Sequence, residues 1–252
     1  MTPESVSAIE PQPQRMGEFS RLIGVFFEPK KTFEDIAQRP GWLIPMVLIM
    51  VCALAVTVAF TQHVGWDRFM RQQMENSTNA RVSQLTPEQK EQAVAMQAKF
   101  APIFGTAAIL VGIPIYYTIA SAVLLGIVAG IMSAPVKFKQ IFAVMCYSSL
   151  PGVVSSVLTL VVMFLKSPDQ FNLQNPLAFN PAAFMDPQSS PKFLYSVASS
   201  LDLFVLWTLF LIATGLKAAA GKKLSFGGAL FSVVLPWAIF VLGRAAIAGA
   251  FG

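Results

Sequence analysis

The stretch between Lys139 and Lys166 constrains the fold of this chain more than any other, because it contains no charged residue. It exceeds the about 20 residues that an α-helix needs to cross the hydrocarbon core of a bilayer. A proline and several polar residues interrupt its middle, and proline removes a backbone donor and kinks a helix. We therefore predict a central transmembrane helix with a polar kink, formed by Tyr147, Ser148, Ser149 and Pro151.

Two interpretations of this kink stay open. Ser148, Gly152, Ser155 and Thr159 recur at spacings of three and four residues, which places them on one face of a helix. That face is either a seam of small residues for close helix packing, or a substrate or ion site beside a broken helix.

The composition extends the membrane prediction to the whole chain. Hydrophobic residues make up 55% of the sequence and charged residues only 12%, whereas soluble domains carry about 25% charge. We predict an all-α membrane protein, a bundle of five transmembrane helices. The predicted spans are residues 42–61, 106–132, 140–165, 193–216 and 226–250, with Trp42 and Trp66 as interfacial anchors around the first span.

The region before the first span divides in two. Residues 1–14 are polar and proline-containing, and we predict that they are disordered. Residues 15–40 have apolar side chains at helical spacing and form an amphipathic cytoplasmic segment ahead of a transmembrane domain over 41–252. This segment is expected to lie on the membrane surface, to pack on the end of the bundle, or to do both.

Three stretches of sequence carry a family resemblance. VKFKQIF, followed by a span with YSSLP at its centre, resembles the Yip family of Ypt/Rab-interacting, five-span membrane proteins. EPKKTFEDIAQRPGW at 28–42 is similar to the bacterial branch of that family, as is the closing pair of spans with Pro236 in the last one. The resemblance covers about residues 20–250. The long acidic amino-terminal region of eukaryotic members is missing, which favours the bacterial branch and leaves the protein partner unknown.

The distribution of basic residues predicts the orientation of the chain. One side of the predicted bundle carries short, span-adjacent segments with Arg15, Arg21, Lys30, Lys31, Arg39, Lys137, Lys139, Lys217, Lys222 and Lys223. Because short basic segments remain in the cytoplasm, the amino terminus is predicted inside and the carboxyl terminus outside. The expected location is the bacterial inner membrane, or the ER or Golgi membrane if the source is eukaryotic.

Asp202 and Arg244 are the charged residues that fall inside the predicted spans. An unpaired charge at the bilayer centre costs roughly 2.5–3.5 kcal/mol on insertion scales. The two residues fall at similar depths on adjacent antiparallel spans, so we predict an intramembrane ion pair. It either fixes helix register or serves a proton or substrate relay. Snorkelling of Arg244 to the headgroups is the alternative.

Catalytic and cofactor signals are missing from the sequence. A single histidine and two cysteines, Cys52 and Cys146, cannot build a usual zinc site. No enzyme activity, cofactor, metal or nucleic-acid partner is therefore expected. The predicted partners are the lipid bilayer and an unknown protein, and a homo-oligomer stays open. The predicted function is a membrane scaffold or adaptor in trafficking or membrane organisation. The alternative is a small transporter or channel subunit with a polar site near Asp202, Arg244 and Pro151.

Overall fold

The computed structural model describes residues 15–75, 82, 84–168, 170–173, 175–186 and 189–251. The predicted disorder of residues 1–14 lies outside this part of the chain. Within the described ranges the structure is helical and contains no β-strand. This confirms the all-α prediction.

The helices are numbered in chain order. They are α1 Glu18–Phe27, α2 Pro29–Gln38, α3 Leu43–His63, α4 Trp66–Glu75, α5 Pro87–Ala107, α6 Ile113–Leu125, α7 Phe138–Ser148, α8 Pro151–Leu165, α9 Lys192–Ser200, α10 Leu203–Ala220 and α11 Phe226–Phe251. A π-helical turn at Ala108–Gly112 joins α5 to α6, and a second one at Gly126–Ile131 follows α6. Short 3-10 helices form at Pro181–Phe184 and Gly221–Lys223.

Among the described residues, five helical segments are long and apolar enough to cross a membrane, as predicted. They are Leu43–His63, Pro87–Ile131, Phe138–Leu165, Leu203–Lys223 and Phe226–Ala250. The fourth begins ten residues later than the predicted 193, because the chain leaves the helical conformation at Leu201 and Asp202. Residues Lys192–Ser200 form the separate helix α9, which packs against α11.

Helices α1 and α2 form an antiparallel hairpin that turns at Glu28. They approach so closely that a Cβ atom on Gly24 would lie 2.4 Å from Thr32 Oγ1, so this position requires glycine. The hairpin packs on the end of the bundle where α3 and α7 begin and α10 ends, which we call the hairpin end. The amphipathic segment therefore packs on the bundle.

The two helices of the hairpin lie at different levels along the spans. In α2, Phe33 lies against Gly215 of α10, and the Ala37 carbonyl accepts a hydrogen bond from Gln140 Nε2 at 2.8 Å. In α1, Phe26 makes an edge-to-face ring contact with Trp207, at 5.4 Å between centroids. Trp207 and Gly215 are about 12 Å apart along α10 at 1.5 Å per residue. Helix α2 is thus nearer the hairpin end and α1 is nearer the middle of the spans.

The hydrophobic core joins this hairpin to the spans. Phe33 and Ile36 of α2 are fully buried, together with residues of α7 and α10: Val144, Tyr147, Leu211 and Leu216. A smaller cluster at the opposite end contains Phe60 of α3, Met163 of α8 and Phe171 of the loop after α8. The hairpin is therefore part of the folded core, and its removal would expose the rest of that core.

Candidate functional site

A charged network lies within the hairpin, centred on Arg21. Arg21 is only 4% exposed. Its Nε donates to Asp35 Oδ2 at 2.7 Å, and its Nη1 donates to Glu18 Oε1 at 2.8 Å. A buried guanidinium needs such partners, because an unpaired buried charge is strongly destabilising. Arg21 therefore holds α1 and α2 together from inside the hairpin.

Two further residues complete this network. Arg39, just after α2, donates to the second carboxylate oxygen of Asp35. Tyr147 of α7 donates its hydroxyl hydrogen to the second carboxylate oxygen of Glu18. The network thus reaches from the hairpin into the third span. We call Glu18, Arg21, Asp35, Arg39 and Tyr147 the hairpin network.

The network shifts the ionisation of its members outside the spans. Burial opposes the charged form of Asp35, but the hydrogen bonds from Arg21 and Arg39 outweigh burial and hold the pKa of this carboxyl below its ordinary value. For Arg21, burial likewise opposes the charge, while Asp35 and Glu18 raise its pKa. Both groups are therefore ionised at neutral pH.

A cavity of about 410 Å³ opens beside the network. Its lining residues come from the start of α1, the connection between α2 and α3, and the start of α7: Met16, Glu18, Arg21, Arg39, Pro40, Gly41 and Lys139. Gly41 is close to the network, since a Cβ atom there would lie 3.4 Å from Glu18 Oε1. Three basic side chains and one acidic side chain line this cavity, which is largely open to the surface and lies at the ends of two spans.

Asp202 and Arg244, the predicted intramembrane pair, have different partners in the structure. Asp202 is the N-cap of α10, and its Oδ1 accepts from the Phe204 amide at 2.9 Å. Arg244 Nη2 donates to groups of α9: the Ser196 carbonyl at 3.1 Å, Ser200 Oγ at 2.9 Å and Ser199 Oγ at 3.4 Å. No salt bridge joins the two residues, both of which belong to the described part of the chain. The reason is the helix break at Leu201, which places Asp202 at a helix end.

The residues of the predicted polar kink are located at a helix break. Helix α7 ends at Ser148 and α8 begins at Pro151, so the third span is interrupted between them. Ser149 Oγ donates to the Met145 carbonyl at 2.9 Å. The Ser148 hydroxyl is buried and has no hydrogen-bond partner among the residues described. Tyr147 points to Glu18 and so belongs to the hairpin network.

The predicted anchors Trp42 and Trp66 lie on either side of α3. Trp42 makes an edge-to-face contact with Phe142 of α7, at 5.4 Å between centroids. Trp66 Nε1 donates to Thr61 Oγ1 at 2.9 Å, and its ring packs on Phe60 at 4.8 Å. Both tryptophans therefore tie the ends of the first span to neighbouring elements.

Sequence reasoning missed the hairpin network. It placed Glu18, Arg21 and Asp35 in the amphipathic segment and predicted no contact among them or with Tyr147. The i, i+3 spacing of Glu18 and Arg21 and the i, i+4 spacing of Asp35 and Arg39 were visible signals for local ion pairs. The link from Glu18 to Tyr147 joins residues 129 positions apart and has no local signal.

The described residues contain no group of three or more His, Cys, Asp or Glu side chains placed to hold a metal ion. Their fold is that of a polytopic α-helical membrane protein, with five spans and an amino-terminal helical hairpin bound to one end. The Yip1 domain matches residues 23–247, so the chain belongs to the Yip1 family, as the sequence resemblance predicted. No curated protein and no solved structure matches the chain.

Proposed function

We propose that this Yip1 family protein is a non-enzymatic membrane scaffold or adaptor that presents the α1–α2 hairpin to a protein partner. The observation that carries this proposal is the rigid attachment of the hairpin to the bundle. Its inner side is fixed by the buried Arg21 and by Phe33 and Ile36. A surface element held this firmly loses little conformational entropy when a partner binds.

The outer face of α2 supplies the docking surface in this proposal. Lys30, Lys31, Glu34 and Gln38 are exposed and recur at the spacing of one helix face. Within the described ranges, Lys31 forms an ion pair with the exposed Glu28 at 3.1 Å, and such surface pairs contribute little stability. The face is therefore free to exchange its charge partners for those of another protein.

We further propose that the hairpin end faces the cytoplasm and that the carboxyl terminus lies outside, in a bacterial inner membrane. The concentration of basic residues at the hairpin end supports this orientation. A reporter fused to the carboxyl terminus tests it: alkaline phosphatase should be active there and green fluorescent protein dark. A fluorescent carboxyl-terminal fusion would contradict the proposed orientation.

Charge reversal on α2 tests the adaptor proposal better than deletion. Removing residues 1–38 would delete Phe33 and Ile36 and expose the core residues of α7 and α10 that pack with them. The variant Lys30→Glu, Lys31→Glu and Glu34→Lys changes exposed side chains only. The control is Lys222→Glu with Lys223→Glu, which reverses charge at the same end of the bundle but outside the hairpin.

Each tagged variant is captured in mild detergent from its native membrane, and co-purifying proteins are quantified by mass spectrometry. A stoichiometric partner should be lost with the α2 variant and retained with the control. Capture of the same partner by both variants would contradict docking on α2, and recovery of every variant alone would contradict the adaptor role.

The transporter or channel alternative is weaker. It relied on a polar site near Asp202, Arg244 and Pro151, and these charged side chains are engaged by a helix amide and by serines of α9. Flux of ions or small solutes through the purified protein in liposomes would support the transporter or channel function.

A further inference from the structure

The cavity beside the hairpin network lies where a lipid headgroup would be. Gly41 and Lys139, which line the cavity, lie where α3 and α7 begin. The residue after Gly41 is Trp42, and tryptophan is enriched at membrane interfaces. The cavity has a volume of about 410 Å³ and is largely open to the surface.

The charges around the cavity favour an anion. The Glu18 carboxylate is already bonded by Arg21 and Tyr147, and that of Asp35 by Arg21 and Arg39. Lys139 lines the cavity and has no ion-pair partner within the described ranges. Arg39 gives one nitrogen to Asp35 while its side chain stays 39% exposed. The ammonium of Lys139 and the remaining donors of Arg39 are therefore open to an incoming phosphate.

An exposed apolar stripe begins at Phe19, the residue after Glu18, which lines the cavity. Phe19, Ile23 and Phe27 of α1 are 74%, 44% and 80% exposed, and their i, i+4 spacing forms one stripe. This stripe belongs to the helix of the hairpin that lies nearer the middle of the spans. Such a surface is suited to acyl chains, whereas a soluble phosphate ion has no apolar group that could cover it.

We propose that this cavity binds the phosphate of an anionic glycerophospholipid, with Lys139 and Arg39 as its ligands and the α1 stripe against the acyl chains. The lipid would join α1, the α2–α3 connection and α7 at one site. The proposal goes beyond the adaptor function and does not depend on it, because it concerns the cavity and the exposed stripe of α1 and not the outer face of α2.

The test compares lipid retention by three forms of the full chain: the native protein, Lys139→Gln, and Lys222→Gln as a matched loss of one basic residue outside the cavity. Each is delipidated mildly and titrated with short-chain phosphatidylglycerol or phosphatidylcholine, and bound lipid is counted by native mass spectrometry. Inorganic phosphate forms a third arm. Size-exclusion chromatography checks that each variant is folded, which is expected because Lys139 is exposed.

The native protein and Lys222→Gln should retain one phosphatidylglycerol in preference to phosphatidylcholine. Lys139→Gln should bind phosphatidylglycerol about tenfold more weakly, which is the loss of one charge-assisted contact worth about 1.4 kcal/mol. Equal retention of phosphatidylglycerol and phosphatidylcholine by the native protein would overturn the site. So would an equal loss of phosphatidylglycerol binding in Lys139→Gln and Lys222→Gln. Inorganic phosphate that displaces phosphatidylglycerol at similar concentration would overturn the assignment to a lipid.

Discussion

Tyr147, in the middle of the third span, donates its hydroxyl hydrogen to the Glu18 carboxylate at the start of α1. This bond connects the amino-terminal hairpin to the central helix of the bundle. Glu18 is held in place for it by Arg21, which also binds Asp35. The position of the hairpin therefore depends on a polar contact in addition to the hydrophobic packing of Phe33 and Ile36.

Tyr147→Phe tests this contact. The substitution keeps the buried ring and removes one hydrogen bond to a charged group, so we expect a loss of about 1.5 kcal/mol in the free energy of unfolding. Tyr116→Phe is the matched control, because Tyr116 is 64% exposed on α6. Denaturation of both variants in the same mild detergent measures the difference. Equal stability of the two variants would contradict the role of the Tyr147 hydroxyl.

Gly215→Ala tests the apolar side of the same attachment. A Cβ atom at Gly215 would lie 2.4 Å from Val144 Cγ1 and 3.0 Å from Phe33 Cδ1, so the stiff valine or the hairpin must move. We expect destabilisation of about 1–3 kcal/mol from overpacking, with faster hydrogen exchange in α2.

Gly243→Ala in α11 is the control for this substitution, since nothing lies within 4 Å of the added atom. It should not destabilise the protein, because alanine favours a helix more than glycine does. Similar losses of stability in Gly215→Ala and Gly243→Ala would show that close packing at Gly215 is unimportant.

The sequence predicted the bundle well because the signal for a span is local. Runs of apolar residues identified five spans. The break before α10 was missed because neither proline nor glycine marks it. Asp202 was itself the available signal, since aspartate is a preferred N-cap residue.

The candidate site was less predictable for a different reason. Its local pairs could be inferred from helical spacing, but the cavity requires residues from three separate elements, such as Arg21, Gly41 and Lys139. Their meeting is decided by how the hairpin packs on α7 and α10. No periodicity in one segment encodes this arrangement.

Asp35 predicts a specific dependence of stability on pH. Its pKa is lower in the folded protein than in the unfolded chain, so its ionised form favours folding. This contribution is complete above the unfolded pKa of about 3.9 and is lost as the pH falls through the lower folded value. Asp35→Asn should be less stable than the native protein at pH 7. The difference in stability between the native protein and Asp35→Asn should narrow below about pH 4. A difference that widened with acid would contradict the lowered pKa of Asp35.

Asp202 and Arg244 provide the last prediction. Asn caps a helix as well as Asp does, so Asp202→Asn should leave stability unchanged, whereas Asp202→Ala should cost about 1 kcal/mol. Arg244→Gln should cost about 1 kcal/mol through its lost hydrogen bonds to α9. Because each residue has its own partners, the effects of Asp202→Ala and Arg244→Gln should add in a double-mutant cycle. A coupling energy well above about 0.5 kcal/mol would show that the two charges attract each other across α10 and α11 after all.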